Sequence, residues 1–172
     1  WRGPNQNGVG SSGPFPTTWS ANANIAWKIK LPGGGSSTPV VWDKNIVLTT
    51  TENGANLTLC LDRSGKEKWR SETGKAAAGK HKKASGSNSS PITDGKHIYV
   101  YFKSGDLACV DFAGKIVWQL NIQEKYGEDT LWWDLGTSPV LTKNHVIIAV
   151  MQTGPSYLLA LNKKTGALAW QH

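Results

Sequence analysis

Leu61-Asp62-Arg63-Ser64-Gly65-Lys66-Glu67-Lys68-Trp69 sets a pattern that returns as Val110-Asp111-Phe112-Ala113-Gly114-Lys115-Ile116-Val117-Trp118 and as Leu161-Asn162-Lys163-Lys164-Thr165-Gly166-Ala167-Leu168-Ala169-Trp170. Each copy runs from an apolar residue through Asp or Asn into a Gly-bearing turn, then into a strand that ends on Trp. A second anchor precedes each copy: Ser37-Thr38-Pro39-Val40, Ser89-Ser90-Pro91-Ile92 and Thr137-Ser138-Pro139-Val140. Pro39, Pro91 and Pro139 stand 52 and 48 residues apart, and Trp69, Trp118 and Trp170 stand 49 and 52 apart. A period of about 50 residues filled with strand-like segments is the mark of propeller blades.

Turn chemistry divides each period into four strands. They are expected at 38–42, 45–51, 57–62 and 66–72, at 91–93, 97–103, 107–112 and 115–121, and at 138–142, 145–151, 156–162 and 167–172. Ser64-Gly65, Asp94-Gly95 and Gly154-Pro155 are among the turns between them. The second strand of each period, such as Ile98-Tyr99-Val100-Tyr101-Phe102, is apolar on both faces and needs cover on both sides. A blade sandwiched between two others has that cover. The reading is an all-β fold: a β-propeller segment of three four-stranded antiparallel blades at about 36–73, 88–122 and 136–172. Residues 24–30 around Trp27 add an extra N-terminal strand, and 1–23 form an irregular lead-in. Long polar loops are expected at 73–90 and 122–136, and no segment keeps a helical apolar period. Three blades fall below the usual four to eight, so the chain reads as the N-terminal part of a longer propeller, or as one that closes by self-association.

Composition narrows the function classes. Nine Trp against one Met suit a fold that uses Trp at a repeated position. The net charge of +7 favours anionic surfaces, but no basic stripe carries interleaved aromatics, which argues against nucleic acid. Cys60 and Cys109 hold one repeat position that Ala160 fills in the third copy. That position reads as a small buried site rather than a disulfide or metal ligand. The longest apolar run, Val146 to Met151, is too short to span a bilayer. No signal peptide opens the chain at Trp1-Arg2-Gly3-Pro4, so it reads as a mature or excised segment.

The tail from Ala160 to Trp170 resembles the tryptophan-docking motif of the pyrroloquinoline-quinone-like propeller repeat, with Asn162 in its Asp position. The first two copies lack one turn residue and carry Cys60 and Cys109 in the Ala position. The resemblance implies that Trp69, Trp118 and Trp170, with Trp27 as a fourth, pack on the neighbouring blade. The opening, Trp1-Arg2-Gly3-Pro4-Asn5 followed by Gly8-Val9, Trp19 and Asn24-Ile25-Ala26-Trp27-Lys28, is similar to large secreted bacterial propellers of the planctomycete type. Those are likened to the outer-membrane assembly propeller lipoprotein, which implies a periplasmic or extracellular place. Fold alone does not give function.

The resemblance also raises a quinoprotein dehydrogenase, which needs calcium ligands and a catalytic Asp under its cofactor. No adjacent Cys pair and no Asp, Glu and Asn cluster with calcium-ligand spacing is present in the sequence. Asp62 and Asp111 read as turn caps. No catalytic, cofactor-binding or metal-binding residue is therefore assigned, and pyrroloquinoline quinone with calcium enters only under the dehydrogenase alternative. His81, His97, His145 and His172 share no metal spacing. Ser37, Ser90 and Ser138 are placed to ring one channel mouth, where they satisfy local backbone groups or meet a polar ligand. The candidate binding surface is Trp132, Trp133 and Asp134 with Lys80, His81, Lys82 and Lys83. The Trp pair forms a stacking platform for sugar or peptide, or folds back over a blade interface. The expected role is a non-enzymatic scaffold for a protein or cell-surface glycan partner, with further blades or self-association covering the open blade faces.

Overall fold

The computed structural model describes residues 9–10, 12–131, 133–151 and 156–172. Blade one is β1 (Val40–Trp42), β2 (Asn45–Glu52), β3 (Ala55–Leu61) and β4 (Glu67–Lys75). Blade two is β5 (Ile92–Thr93), β6 (His97–Tyr101), β7 (Asp106–Asp111) and β8 (Ile116–Asn121). Blade three is β9 (Val140–Leu141), β10 (His145–Val150), β11 (Tyr157–Asn162) and β12 (Leu168–Gln171). Each blade is a four-stranded antiparallel meander in chain order. The first strand of each follows a Pro and stands at the sheet edge, where a missing N–H breaks no ladder.

A β-bulge recurs between the third and fourth strands of every blade. Leu61 pairs with Glu67 but Cys60 with Trp69, so Lys68 is the extra residue. Val117 and Ala169 are extra in the same place in blades two and three. The bulge sets each Trp opposite the small residue of the third strand. One row of side chains then crosses each sheet: Val40, Val47, Cys60, Trp69; Ile92, Tyr99, Cys109, Trp118; and Val140, Ile147, Ala160, Trp170. The first row packs into a core with Ile98, Val100 and Phe102 of blade two. The second packs with Val146, Ile148 and Leu159 of blade three. On the third row Val140 and Trp170 are more than two-fifths exposed. Leu48, Leu59 and Leu61, on the opposite face of blade one, pack with Leu31 and Ile46.

The Asp-to-Gly turn completes each seam. Asp62 Oδ1 accepts from the Ser64 and Lys66 N–H groups at 2.8 and 3.0 Å, and Asp111 Oδ1 accepts from Ala113 and Lys115 at 2.9 Å each. These bonds hold the chain so that Gly65, Gly114 and Gly166 take φ of +85°, +88° and +70°. The indole of the preceding blade lies on that glycine, and a Cβ at Gly114 would sit 2.9 Å from Trp69 Cδ2. Trp27 covers Gly65 and Trp118 covers Gly166 in the same way. Each indole N–H also donates across the seam: Trp27 to the Arg63 carbonyl at 2.7 Å, Trp69 to Phe112 at 2.9 Å and Trp118 to Lys163 at 2.8 Å.

Two expectations need adjustment. Residues 25–30 join no ladder among the described residues, although Trp27 is docked. The helix-free reading misses α1 (Ile122–Tyr126), a single turn inside the second polar loop. Asn121 caps it by accepting from the Glu124 N–H at 3.0 Å, and Ile122 is fully buried. One turn is too short to show a helical period, so only its Asn-x-x-Glu cap was available as a signal. The Gly154-Pro155 turn and the Trp1 to Gly8 stretch lie outside the described residues.

Gly114→Ala tests the seam. Gly54 has φ +81° and open space around it, so Gly54→Ala measures the backbone strain alone, about 1–2 kcal/mol. Gly114→Ala adds the clash with Trp69 and is expected to cost about 1–3 kcal/mol more in denaturant unfolding. Equal losses at the two sites would remove the indole from the account. Burial pushes the Cys60 thiol up and the Cys109 thiol up to about 12. Neither is therefore expected to react with an aromatic disulfide reagent at pH 8 until the protein unfolds.

Candidate functional site at the loop end

Antiparallel meanders put the β3–β4 and β7–β8 turns at one end of the blades and the blade-to-blade connections at the other. The Trp-covered glycines occupy the turn end. The loop end holds the Ser-Pro steps and both non-repeating loops.

Serine hydroxyls link the blades there. The Thr38 N–H donates to Ser90 Oγ at 2.9 Å, and the Ser90 N–H donates to Ser138 Oγ at 2.9 Å. Ser37 Oγ bridges the Thr49 N–H and carbonyl at 3.2 and 3.1 Å. These hydroxyls satisfy backbone groups, two of them on the adjoining blade.

The loops around 80 and 134 meet on one buried ion pair. Lys103 Nζ lies 2.5 Å from Asp134 Oδ1, with side-chain exposures of 7% and 2%. Lys103 also donates to the Ala78 carbonyl. Asp134 accepts from the Lys80 N–H at 2.9 Å and from the His81 N–H at 2.9 Å. Burial pushes the Asp134 carboxyl up, but the Lys103 ammonium and the two N–H groups outweigh it and hold it below the usual carboxylate range. Lys80 Nζ reaches the Leu131 carbonyl at 2.5 Å, and Asn88 donates to the Leu135 carbonyl at 3.2 Å.

This corrects the candidate surface at one position. Asp134 is an internal anchor, because its side chain is buried and its carboxylate faces a lysine and two N–H donors. Lys80 is exposed, and its ammonium donates to the Asp129 and Leu131 carbonyls. Trp133, next in sequence to Asp134, stays on the surface at 52% exposure, and His81, Lys82 and Lys83 are exposed as well. Trp132 lies outside the described residues. Lys103 lies in the β6–β7 turn, but in sequence it closes the apolar 97–103 segment and carries no loop signature of its own.

Among the described residues no three of His, Cys, Asp and Glu gather as a metal site, and the two cysteines are separate buried thiols. Asp106 accepts from Asn56 and Asn121 at 3.0 and 3.1 Å and from Ser104 at 2.6 Å. A cavity of ≈ 420 Å³ lies between Ile29–Pro32 and blade one.

Blades of this form, seamed by a Trp on a left-handed glycine, define a propeller of the quinone-like repeat class. Residues 13–172 match the family model described as outer membrane protein assembly factor BamB, and the chain belongs to that family. No curated protein matches. The quinohemoprotein alcohol dehydrogenase of Comamonas testosteroni superposes with a TM-score of 0.65 at 23% identity, covering 82% of this chain and 21% of its own. A europium-containing methanol dehydrogenase gives 0.62 at 18% identity, covering 81% of this chain and 24% of its own. BamB from Moraxella catarrhalis gives 0.58 at 21% identity, covering 89% of this chain and 42% of its own. These likenesses establish the propeller fold, and the chain spans less than half the length of each structure.

Lowering the pH tests the anchor. Asp134 titrates below its ordinary 3.8 in the folded protein, so its contribution is present above pH 3.8 and is lost as the pH falls through the lower folded value. The Lys80 and His81 amides are expected to exchange slowly at neutral pH and to lose protection in that acid range. Lys103→Met, which leaves the buried carboxylate without its cation, is expected to cost about 3–5 kcal/mol. Early amide exchange at neutral pH in the wild-type protein would contradict the anchor.

Proposed function

We propose that the chain is the blade-bearing part of a larger, non-enzymatic propeller that binds a protein partner in the periplasm or outside the cell. The contact surface is the loop end, centred on Trp133 with His81, Lys82 and Lys83. The observation that carries this reading is Asp134, which takes the Lys103 ammonium and the Lys80 and His81 N–H groups and so ties the two non-repeating loops into one base, next in sequence to the exposed Trp133. A preformed base lowers the ordering cost of binding, and Trp is enriched among residues that dominate interfaces. The flanking cations suit an acidic partner segment. Family membership supports a protein partner, since the model it matches is described as an assembly factor. No residue here is assigned to a cofactor or metal. Among the described residues no helix is long and apolar enough to cross a membrane.

Retention of cell-envelope proteins by the intact protein, followed by partner identification, tests this. Trp133→Ala is expected to weaken the partner about thirtyfold, the loss of a hot spot of about 2 kcal/mol. Lys82→Glu with Lys83→Glu should slow association and flatten its salt dependence. Retention of a glycan rather than a protein would reassign the surface to carbohydrate. The fold likeness to alcohol dehydrogenases favours one rival reading. Reduction of an artificial electron acceptor by an alcohol, on adding pyrroloquinoline quinone and calcium to the intact protein, would overturn the scaffold reading.

A further inference from the structure

At the turn end of blade three, Lys143, Asn144, His145, Asn162, Lys163 and Lys164 line a pocket of ≈ 280 Å³. The lining holds three ammonium groups, an imidazole and two carboxamides, and no carboxylate. The repeat shows how unusual that is. The same two turns carry Asp43 and Asp62 in blade one and Asp94 and Asp111 in blade two. In blade three they read Thr142-Lys143-Asn144 and Asn162-Lys163-Lys164. The backbone architecture is kept: the Thr142 N–H donates to the His145 carbonyl at 2.9 Å, and the Asn162 N–H donates to Ala167 at 2.8 Å. Asn162 Oδ1 caps the turn by accepting from the Lys164 N–H at 2.9 Å, as Asp does in the other blades. The turn therefore keeps its shape and sheds its negative charge.

The remaining charges can be accounted for one by one. Lys163 is paired with Asp94 of blade two at 2.9 Å, and its N–H is held by the Asn144 carbonyl at 3.0 Å, which joins the two turns. Lys143 and Lys164 have no ion-pair partner among the described residues, and both are exposed. Because Asn162 Oδ1 is committed to the turn, its NH2 is the end left to meet a ligand. Two uncompensated ammonium groups over amide donors, in a concavity framed by hydrogen-bonded turns, match a compact oxyanion.

We propose that this pocket binds a phosphate-type oxyanion, with Lys143 and Lys164 supplying the charge and Asn162 a neutral hydrogen-bond donor. The source is either free phosphate or the phosphate of an anionic lipid headgroup, and the site's chemistry is the same for both. It lies at the end of the blades opposite Trp133, so it operates independently of the partner surface.

Inorganic phosphate is titrated into the intact protein while the His145 ring and the Lys164 and Asn144 amides are followed by NMR, beside co-sedimentation with phosphatidylglycerol vesicles. The expected result is saturable shifts confined to the pocket, weakened at least tenfold by Lys143→Gln with Lys164→Gln and unchanged by Lys115→Gln on blade two. Saturation by phosphate without vesicle binding identifies the free anion. Vesicle binding that is lost in the Lys143→Gln, Lys164→Gln variant identifies the headgroup. Both variants retain every turn hydrogen bond, so an unchanged thermal midpoint is expected and isolates the charge. Shifts that do not saturate, together with vesicle binding that is absent or indifferent to Lys143 and Lys164, would overturn the site.

Discussion

Each blade of this chain is held by a glycine that its neighbour's indole needs. The Trp of one blade lies flat on a residue with positive φ in the next, and its N–H reaches a carbonyl of the same turn. A side chain at that glycine would meet the ring within 3 Å and would also be strained in the backbone. The contact therefore constrains four features at once. Asp or Asn must open the turn, Gly must close it, a bulge must offset the fourth strand, and a small residue must face the Trp. Each appears in all three blades, and none is needed for an isolated meander.

The seams are fastened at both ends by different chemistry. At the turn end the fastening is an aromatic face on a bare backbone. At the loop end it is a pair of serine hydroxyls, Ser90 Oγ taking the Thr38 N–H and Ser138 Oγ the Ser90 N–H, each from the blade before. Between the two ends lie apolar cores built on Tyr99, Cys109 and Leu159 and on Val47, Cys60 and Val100. Such a frame leaves the non-repeating loops free to vary, which is why the Asp134–Lys103 pair is found outside the repeat. It ties the second non-repeating loop to the β6–β7 turn, where the periodic interactions supply nothing.

The fold was legible because its causes are local and repeated. Prolines, Asx-to-Gly turns and Trp recur at one spacing, and strand ends fell within a few residues of the observed ones. The single helical turn escaped, since one turn carries no periodicity. The candidate site was legible only in part. The sequence marks Trp133 and the lysine-rich loop as unusual but cannot show that residues 80 and 134 meet, because that contact spans 54 residues and passes through Lys103. An Asp beside Trp in a polar loop looks like a surface group, and only the fold turns it inward.

The docked Trp27 shows what the seam contact itself requires. Its ring lies on the Gly65 turn as Trp69 lies on Gly114 and Trp118 on Gly166, and its N–H reaches the Arg63 carbonyl. Yet residues 25–30 join no ladder among the described residues. The contact is therefore made by indole and bare glycine alone: a segment need not belong to a sheet to be fastened to a blade, and a strand ladder is a separate means of holding the chain from the one that joins blade to blade.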